Sequence, residues 1–226
     1  MQITEIYRSI QGESSYAGLP CIFVRLTACN LRCKWCDSEY TFTGGRKMAQ
    51  DEVMAEVQRL ADSGLVEVTG GEPMLQEREV VPLMQALLDT GYTVLLETSG
   101  ERPLARVPKE VVKIVDVKCP HSGAGDSFAF ENLAAMMPND EIKFVLSDRA
   151  DYEFAREFTR EQLLDARVRS VIFSPAFRKD AYGDRDARHC LLDPQQLADW
   201  ILADGLNVRL GLQLHKFIWE PAMKSV

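Results

Sequence analysis

Three cysteines, Cys29, Cys33 and Cys36, form a C-x3-C-x2-C pattern. Three clustered thiolates can ligate three irons of a [4Fe–4S] cluster and leave the fourth iron without a protein ligand. An iron with an open position can bind a substrate or cofactor, whereas the iron of a fully ligated electron-transfer cluster cannot. The pattern therefore predicts an iron–sulfur cluster that takes part in chemistry.

Zinc and disulfides are the alternative uses of these cysteines. A structural zinc site needs four ligands, usually two C-x2-C pairs or a Cys/His mixture. The other cysteines and the histidines form no such set: Cys21, Cys119, Cys190, His121, His189 and His215 are isolated. A disulfide framework is not expected in a chain of this size without a signal peptide. We expect the other cysteines to be buried, and a non-catalytic zinc-binding module is the alternative of a different class.

The composition predicts one soluble globular domain over residues 1–226. The chain has 46% hydrophobic and 27% charged residues and a net charge of −8. No Lys/Arg-rich run indicates nucleic-acid binding, and no apolar run is long enough to span a membrane. The beginning of the sequence lacks the pattern of a signal peptide, and an oxygen-sensitive cluster suits a reducing compartment. We therefore expect a cytoplasmic protein.

Strand and helix patterns alternate along the chain. Apolar, β-branched runs predict strands at 22–27, 65–69, 93–98, 111–117, 141–146, 170–174 and 207–213. Apolar residues three and four apart predict helices at about 49–62, 77–90, 150–164 and 194–204, with a short one at about 128–137. In the first helix the predicted apolar face ends at Ala61. This alternation predicts an α/β fold with a parallel sheet.

One connection is too short for a crossover helix. Between Gly100 and Val111 the chain contains Pro103 and Pro108, which disfavour a helix there. We therefore expect a partial TIM-like barrel of about six parallel strands with a reduced set of helices. The polar stretch 175–190 is expected to be an exposed loop.

Polar residues follow several predicted strands, where the sites of βα proteins lie. After the strand at 65–69 comes Thr69-Gly70-Gly71-Glu72-Pro73. Its glycines would let the backbone approach a ligand, and Glu72 could accept hydrogen bonds from an ammonium group. A tight turn into a helix explains the same residues equally well. Other strands run into Glu97-Thr98-Ser99-Gly100, Asp116-Val117-Lys118 and Ser174-Pro175.

Two cations lie within predicted apolar strands. Arg25 and Lys143 would be costly to bury without partners. Arg25 either faces a carboxylate in the core or faces the lumen of the barrel and binds an anionic substrate bidentately. A lumen lined by Arg25, Glu97, Lys118 and Lys143 favours a polar, carboxylated substrate.

The cysteine spacing, with Trp35 before the third cysteine, resembles the radical S-adenosylmethionine (SAM) superfamily. Ile10-Gln11-Gly12-Glu13-Ser14 resembles the segment that opens 7-carboxy-7-deazaguanine synthases, although Ser14 replaces the commoner glycine. The runs 18–26, 36–38, 69–73, 97–100 and 212–217 are similar to the same family. The resemblance covers residues 2 to about 218.

This resemblance implies a reaction. The family converts 6-carboxy-5,6,7,8-tetrahydropterin to 7-carboxy-7-deazaguanine, a ring contraction with loss of ammonia, for queuosine or related 7-deazapurines. It implies a carbon–nitrogen lyase in which a SAM-derived radical removes a hydrogen atom from the substrate and later returns it, so that SAM is regenerated.

The resemblance also implies the residues of the site. Cys29, Cys33 and Cys36 would hold the cluster, and Ser38, where the family usually has threonine, would ligate Mg²⁺. SAM would contact Trp35, Cys36, Asp37, Gly71, Glu72, Ser99, Asp116, Val117, Lys118, Phe173, Ser174, Pro175 and Ala176. The pterin would contact Ile10, Gln11, Gly12, Glu13, Arg25, Thr69 and His215.

Some expectations leave alternatives open. His215 either binds the pterin or fastens the last strand, and residues 219–226 form a short extension beyond the usual end of the family. The family implies a flavodoxin-type electron donor and a homodimer. Glycyl-radical-enzyme activating enzymes share the cysteine spacing and a Gly-Gly-Glu-Pro-like loop, and they are the alternative within enzymes.

Overall fold

A computed structural model describes residues 1–60, 63–179, 185–221 and 223–226. Over these residues it contains one nine-stranded sheet in the order β3-β1-β2-β4-β5-β6-β7-β8-β9. The strands are Gln2–Ile10, Pro20–Leu26, Arg46–Lys47, Leu65–Gly70, Thr93–Thr98, Val112–Asp116, Glu141–Leu146, Ser170–Pro175 and Arg209–Leu210, numbered β1 to β9. From β2 through β4 to β9, neighbouring strands of the sheet are parallel. At the β2 edge, β1 runs antiparallel to both of its neighbours, β2 and β3.

Six helices lie among the described residues, and not every pair of parallel strands is joined by one. They are Gln50–Arg59, Glu77–Asp89, Arg149–Glu161, Leu164–Arg167, Pro194–Ala203 and His215–Ile218, numbered α1 to α6. Short 3₁₀ turns lie at Glu39–Thr41, Pro73–Gln76, Pro120–Ser122, Phe130–Ala134 and Ala187–His189. No helix among the described residues connects β5 to β6, as the two prolines between them predict. The expected partial TIM-like barrel is thus confirmed.

Several predicted boundaries are corrected. The sequence prediction omitted β1 and β3, and the strand expected at 207–213 is only Arg209–Leu210. The helix expected at 150–164 is divided into α3 and α4 because Leu163 adopts a left-handed conformation, with φ of 51°. The helix expected at 128–137 is the 3₁₀ turn Phe130–Ala134. Ala61 and the middle of the 175–190 loop lie outside the described residues.

Alternate residues of the strands point to two different environments. Val24, Val68, Leu96 and Phe144 belong to the main core between the sheet and the helices. On the other face, a smaller apolar cluster fills the lower part of the lumen: Cys21, Phe23, Leu65, Leu95, Val112 and Ile114. Because side chains alternate along a strand, the residues two positions further along each strand reach the upper lumen. Charged and polar residues occupy those positions.

The open side of the barrel is closed by two segments that are distant in sequence. The Leu214 amide donates to the Gly12 carbonyl at 2.8 Å, and the Gln213 side chain donates to Glu13 at 3.0 Å. Gly12 leaves no space for a side chain, because a Cβ there would lie 2.3 Å from Nδ1 of His215. These contacts lay residues 11–13 against residues 213–215. No helix of the described residues is long and apolar enough to cross a membrane.

Candidate active site

The cysteine loop follows β2 and lies over the carboxyl end of the sheet. Ala28 begins this loop with φ of 83°, a left-handed conformation that turns the chain sharply. Its amide donates to the Thr41 carbonyl at 2.7 Å, and its own carbonyl accepts from the Glu72 amide at 2.8 Å. The turn is therefore fastened on both sides before the chain reaches the first cysteine.

The three cysteines open into one cavity. Cys29, Cys33 and Cys36 are free, half-buried thiols that line it together. Burial raises the pKa of the Cys29 and Cys33 thiols, and the Lys118 ammonium opposes this rise for Cys33. Metal coordination deprotonates a thiol outright. Clustered thiols on one loop are thus suited to a metal centre. The other three cysteines are buried elsewhere, as expected.

The two glycines after β4 make room for the cysteine loop. A Cβ on Gly71 would lie 2.2 Å from the Ala28 carbonyl oxygen and 2.8 Å from Cβ of Cys29. A Cβ on Gly70 would lie 2.5 Å from the Leu26 carbonyl oxygen. The expectation was that these glycines let the backbone approach a ligand. In the structure they let the ends of β2 and β4 approach each other, and both glycines also line the cavity. Their contact with a ligand stays a prediction.

Glu72 is engaged within the protein and does not line the cavity. One of its oxygens accepts from the Met74 amide at 3.0 Å and the Thr98 hydroxyl at 2.7 Å. The other accepts from the amide and hydroxyl of Ser99, at 2.8 and 2.7 Å. Three of these four hydrogen bonds come from Thr98 and Ser99 at the end of β5, and the fourth lies within the turn after β4. Glu72 thus fastens the turn after β4 to the end of β5, and its expected contact with the amino group of SAM stays a prediction. A second consequence is that Ser99 is held facing the cavity.

Lys143 is the central cation of the upper lumen. Its ammonium donates to Glu13 and to Glu97, each at 2.5 Å, and lies 3.8 Å from Asp116. Burial disfavours the charged forms of both Lys143 and Glu13, but the attraction between the two charges is stronger. The pKa of Lys143 is therefore well above its ordinary value, and that of Glu13 is lowered to about 2. Lys118 is paired in the same way with Asp116, at 2.7 Å.

Arg25 combines the two readings that the sequence left open. Its Nε donates to Glu5 at 2.9 Å, and its Nη2 donates to the Tyr7 hydroxyl at 2.8 Å. The guanidinium nevertheless lines the cavity. Its remaining N–H groups have no protein acceptor among the described residues. Arg25 is thus held by the Glu5 carboxylate and still lines the cavity.

His215 also makes contacts on two sides. It packs against Gly12 in the closed side of the barrel and lines the cavity. Burial lowers its pKa, so the imidazole is neutral near pH 7. Its neighbour Lys216 forms an ion pair with Asp37 at 2.7 Å. Although burial opposes it, this ammonium holds the pKa of Asp37 well below the usual range.

The cavity brings together most of the residues that the sequence singled out. It is lined by Ile10, Gln11, Gly12, Glu13, Arg25, Cys29, Cys33, Trp35, Cys36, Asp37, Ser38, Thr69, Gly71, Ser99, Asp116, Lys118 and His215. Besides Glu72, five expected SAM contacts do not line it: Val117, Phe173, Ser174, Pro175 and Ala176. Val117 and Phe173 point into the main core, because alternation along the chain places them on the outer face.

Sequence reasoning did not assign several residues of the cavity wall: Tyr7, Phe23, Leu31, Glu67, Thr98, Val145, Gln213 and Val226. Glu67 lies in an apolar strand, like Arg25 and Lys143, and the same signal would have found it. The final residues fold back over the site, since the Ser225 hydroxyl donates to Glu5 at 2.6 Å. Nothing in the local sequence indicates that contact.

Comparisons with known proteins identify the architecture. A model of the Radical SAM superfamily matches residues 24–120. The crystal structure of QueE from Escherichia coli superposes with a TM-score of 0.74 at 23% identity, covering 95% of this chain and 94% of that one. At that identity the likeness concerns the fold. It agrees with the partial barrel described above.

Curated relatives are much more similar in sequence. The 7-carboxy-7-deazaguanine synthase of Koribacter versatilis is 74% identical over 226 residues, which is 100% of each chain. The chain belongs to the 7-carboxy-7-deazaguanine synthase family. The synthase of Chlorobaculum tepidum is 40% identical over 229 residues, covering 100% of this chain and 97% of that protein. As members of the radical SAM superfamily, 7-carboxy-7-deazaguanine synthases are implied to carry a [4Fe–4S] cluster and SAM.

The residues of this 7-carboxy-7-deazaguanine synthase family member fit both groups. Three thiols on one loop supply the ligands that a site-differentiated cluster needs. Beside them, Oδ1 of Asp116 is buried and has no hydrogen-bond partner among the described residues, although Asp116 lines the cavity. A buried oxygen without a partner is costly unless a ligand donates to it. A hydroxyl or ammonium group of a bound cofactor would satisfy this atom.

Proposed function

We propose that this protein converts 6-carboxy-5,6,7,8-tetrahydropterin to 7-carboxy-7-deazaguanine with loss of ammonia. The observation that carries the proposal is that the three cysteines and the lumen cations line the same cavity. The 74% identity between this chain and a curated 7-carboxy-7-deazaguanine synthase supports the substrate class. The reaction breaks a carbon–nitrogen bond, so the enzyme would be a lyase. Its product would serve queuosine or a related 7-deazapurine.

Cys29, Cys33 and Cys36 would hold the cluster, and the cavity wall around Trp35, Asp37, Ser99, Asp116 and Lys118 would hold SAM. When bound, the reduced cluster and SAM would supply the one-electron chemistry that removes a hydrogen atom from the substrate and returns it.

The chain's own task is to bind and orient the pterin. Arg25 would donate its free N–H groups to the substrate carboxylate, in an orientation already set by Glu5 and Tyr7. Thr69 lies beside Arg25 in the sheet register, so both side chains reach the same level of the lumen. Below them the apolar cluster around Phe23 closes the lumen and excludes water from that side.

Neutral and charged groups of the closing segments would surround the rest of the ring. Gln11, Gly12 and Glu13 line the cavity together with His215, which packs against Gly12. Because burial keeps His215 neutral near pH 7, it would both donate and accept hydrogen bonds. This suits a pterin, whose edge alternates donors and acceptors.

The finer features remain part of the same proposal. Mg²⁺ prefers oxygen ligands and retains several waters, so the Ser38 hydroxyl in the cavity wall is a suitable ligand. A flavodoxin-type protein would supply electrons. This donor is supported by the cations Lys34 and Arg178, which line a second pocket together with Trp35 of the cysteine loop. A cytoplasmic homodimer is the expected form.

The decisive experiment is an anaerobic assay of the reconstituted enzyme with SAM, Mg²⁺, a low-potential reductant and the pterin, read by mass spectrometry. We expect 7-carboxy-7-deazaguanine in excess over enzyme, without a matching loss of SAM. Formation of 5′-deoxyadenosine and methionine alone would refute the substrate. That outcome would favour an activating enzyme with a protein substrate.

Substitutions of two cysteines, one in the cavity and one in the core, provide a test of cluster binding and its control. Cys33→Ala removes a proposed ligand, whereas Cys119→Ala changes a buried cysteine of the main core. We expect reconstituted Cys33→Ala to lose most of its iron and acid-labile sulfide, and Cys119→Ala to retain both. Stoichiometric zinc without iron in the native protein would instead establish the zinc-binding module.

Arg25→Lys tests the substrate carboxylate. Lysine keeps the charge but lacks the planar fork that reaches Glu5, Tyr7 and a ligand together. We expect the KM for the pterin to rise about 10-fold or more, on the scale of one lost charge-assisted hydrogen bond. Unchanged pterin kinetics would contradict the assignment.

A further inference from the structure

Glu67 is a buried acid for which the proposed chemistry gives no role. It lies in the middle of β4, opposite Phe23 on one side and Leu95 on the other, and only 1% of its surface is exposed. A carboxyl group in such a position costs stability unless hydrogen bonds compensate for it. An apolar residue at this position, next to the apolar layer of the lumen, would avoid that cost.

The hydrogen bonds of Glu67 complete a closed ring around the cavity. The Gln11 side-chain amide donates to Glu67 at 2.6 Å, and the Glu13 backbone amide donates to the Gln11 side-chain oxygen at 2.5 Å. Glu67 is in turn hydrogen-bonded to Glu97. Lys143 joins Glu97 back to Glu13, at 2.5 Å on each side.

A hydrogen bond between two carboxyl groups needs a proton on one of them. Burial and the negative charge of Glu97 raise the pKa of Glu67 well above its ordinary value, against the opposing effects of Gln11 and Arg25. Glu97 has the Lys143 ammonium as its partner. The proton of this carboxyl pair therefore resides on Glu67.

We propose that Glu67 is a positioning residue whose hydrogen bonds to Gln11 and Glu97 hold residues 11–13 over the cavity. The inference rests on the proposed function, in which those residues bind the pterin. Residues 11–13 follow β1 and belong to no helix or strand, so their position depends on such contacts. The ring fastens them to β4, β5 and β7 at the same time.

Two substitutions of similar size separate this role from others. Glu67→Gln keeps a neutral donor and acceptor, whereas Glu67→Met fills the space without either. Glu67→Met leaves the buried Gln11 amide without its acceptor, so we expect the KM and the dissociation constant for the pterin to rise about 10-fold. The kcat at saturating pterin and the affinity for SAM should change much less, and Glu67→Gln should restore most of the loss.

The structural control is thermal unfolding of both variants. Glu67→Met removes a desolvated carboxyl but leaves the Gln11 amide unpaired, and because these two effects oppose each other we expect only a small change in Tm. Infrared spectroscopy of the native protein at neutral pH should show a protonated carboxylic acid band that is absent in Glu67→Gln.

Three results would overturn the proposal. The first is that Glu67→Met binds the pterin as the native protein does, and the second is that Glu67→Gln is as impaired as Glu67→Met. The third is that the native protein and Glu67→Gln have the same infrared spectrum. If the native enzyme does not convert the pterin at all, the proposed function fails. The infrared result still decides in that case whether Glu67 carries the proton that closes the ring.

Discussion

Gly71→Ala should disrupt the cysteine loop rather than the sheet. The added Cβ would lie 2.2 Å from the Ala28 carbonyl oxygen, and such an atom essentially never lies within 3.0 Å of another. The loop must therefore move by about 0.8 Å or more, at a cost of about 1–3 kcal/mol for overpacking. The Ala28 carbonyl cannot move freely, because the Glu72 amide donates to it.

A shift of this size matters more for the metal than for the fold. Metal–ligand distances tolerate changes of about 0.2 Å, so displacing Cys29 would remove one ligand from its place. We expect reconstituted Gly71→Ala to hold less than about half of the native iron and sulfide, the loss that follows when one of three thiolate ligands fails. The protein should remain folded by circular dichroism, with a lowered Tm.

Gly64→Ala is the matched control. Gly64 precedes the other end of β4, and a Cβ there would have no atom within 4 Å. Its iron content and Tm should equal those of the native protein. Full iron content in Gly71→Ala, or equal losses in both variants, would refute the reasoning that the glycine exists to admit the cysteine loop.

Two further predictions concern buried charges. Lys113→Met leaves the buried carboxylate of Asp140 without the ammonium that lies 2.8 Å from it. We expect this change to lower the free energy of unfolding, measured in urea, by about 3–5 kcal/mol. Arg59→Met breaks an exposed pair with Glu56 and should change the free energy of unfolding little. Glu13, with a pKa lowered from 4.5 to about 2, stabilises the fold above pH 4.5. That contribution, roughly 3 kcal/mol, should disappear as the pH falls towards 2, and a Glu13→Gln variant with an equal acid dependence in urea unfolding would contradict it.

The cysteine loop and the strand ends were predictable because their signals are local. The spacing of Cys29, Cys33 and Cys36 indicates a cluster site within a run of eight residues, and Gly70 and Gly71 indicate the turn after β4. Because side chains alternate between the two faces of a strand, the sequence also predicts which residues near the carboxyl ends face the lumen. The purpose of the glycines was not predictable, because it depends on the neighbouring strand that packs against them.

Contacts between distant segments could not be predicted from the sequence. The hydrogen bond from Leu214 to Gly12 joins residues about 200 positions apart, and no local pattern indicates it. β1 was missed for a related reason. Its burial pattern is mostly intermediate, since it lies near the edge of the sheet, and polar residues break the apolar run by which strands are found.

The charges of the lumen show why burial and function are coupled in this fold. Arg25, Lys118 and Lys143 would each be prohibitively costly to bury alone, and each is paired with a carboxylate of the protein. A bound carboxylate therefore meets cations that are already neutralised and rigid. Its affinity must come from the geometry of the remaining donors rather than from net charge. A cavity of this kind would select a ligand by the arrangement of its polar groups, which is what a small heterocyclic acid offers.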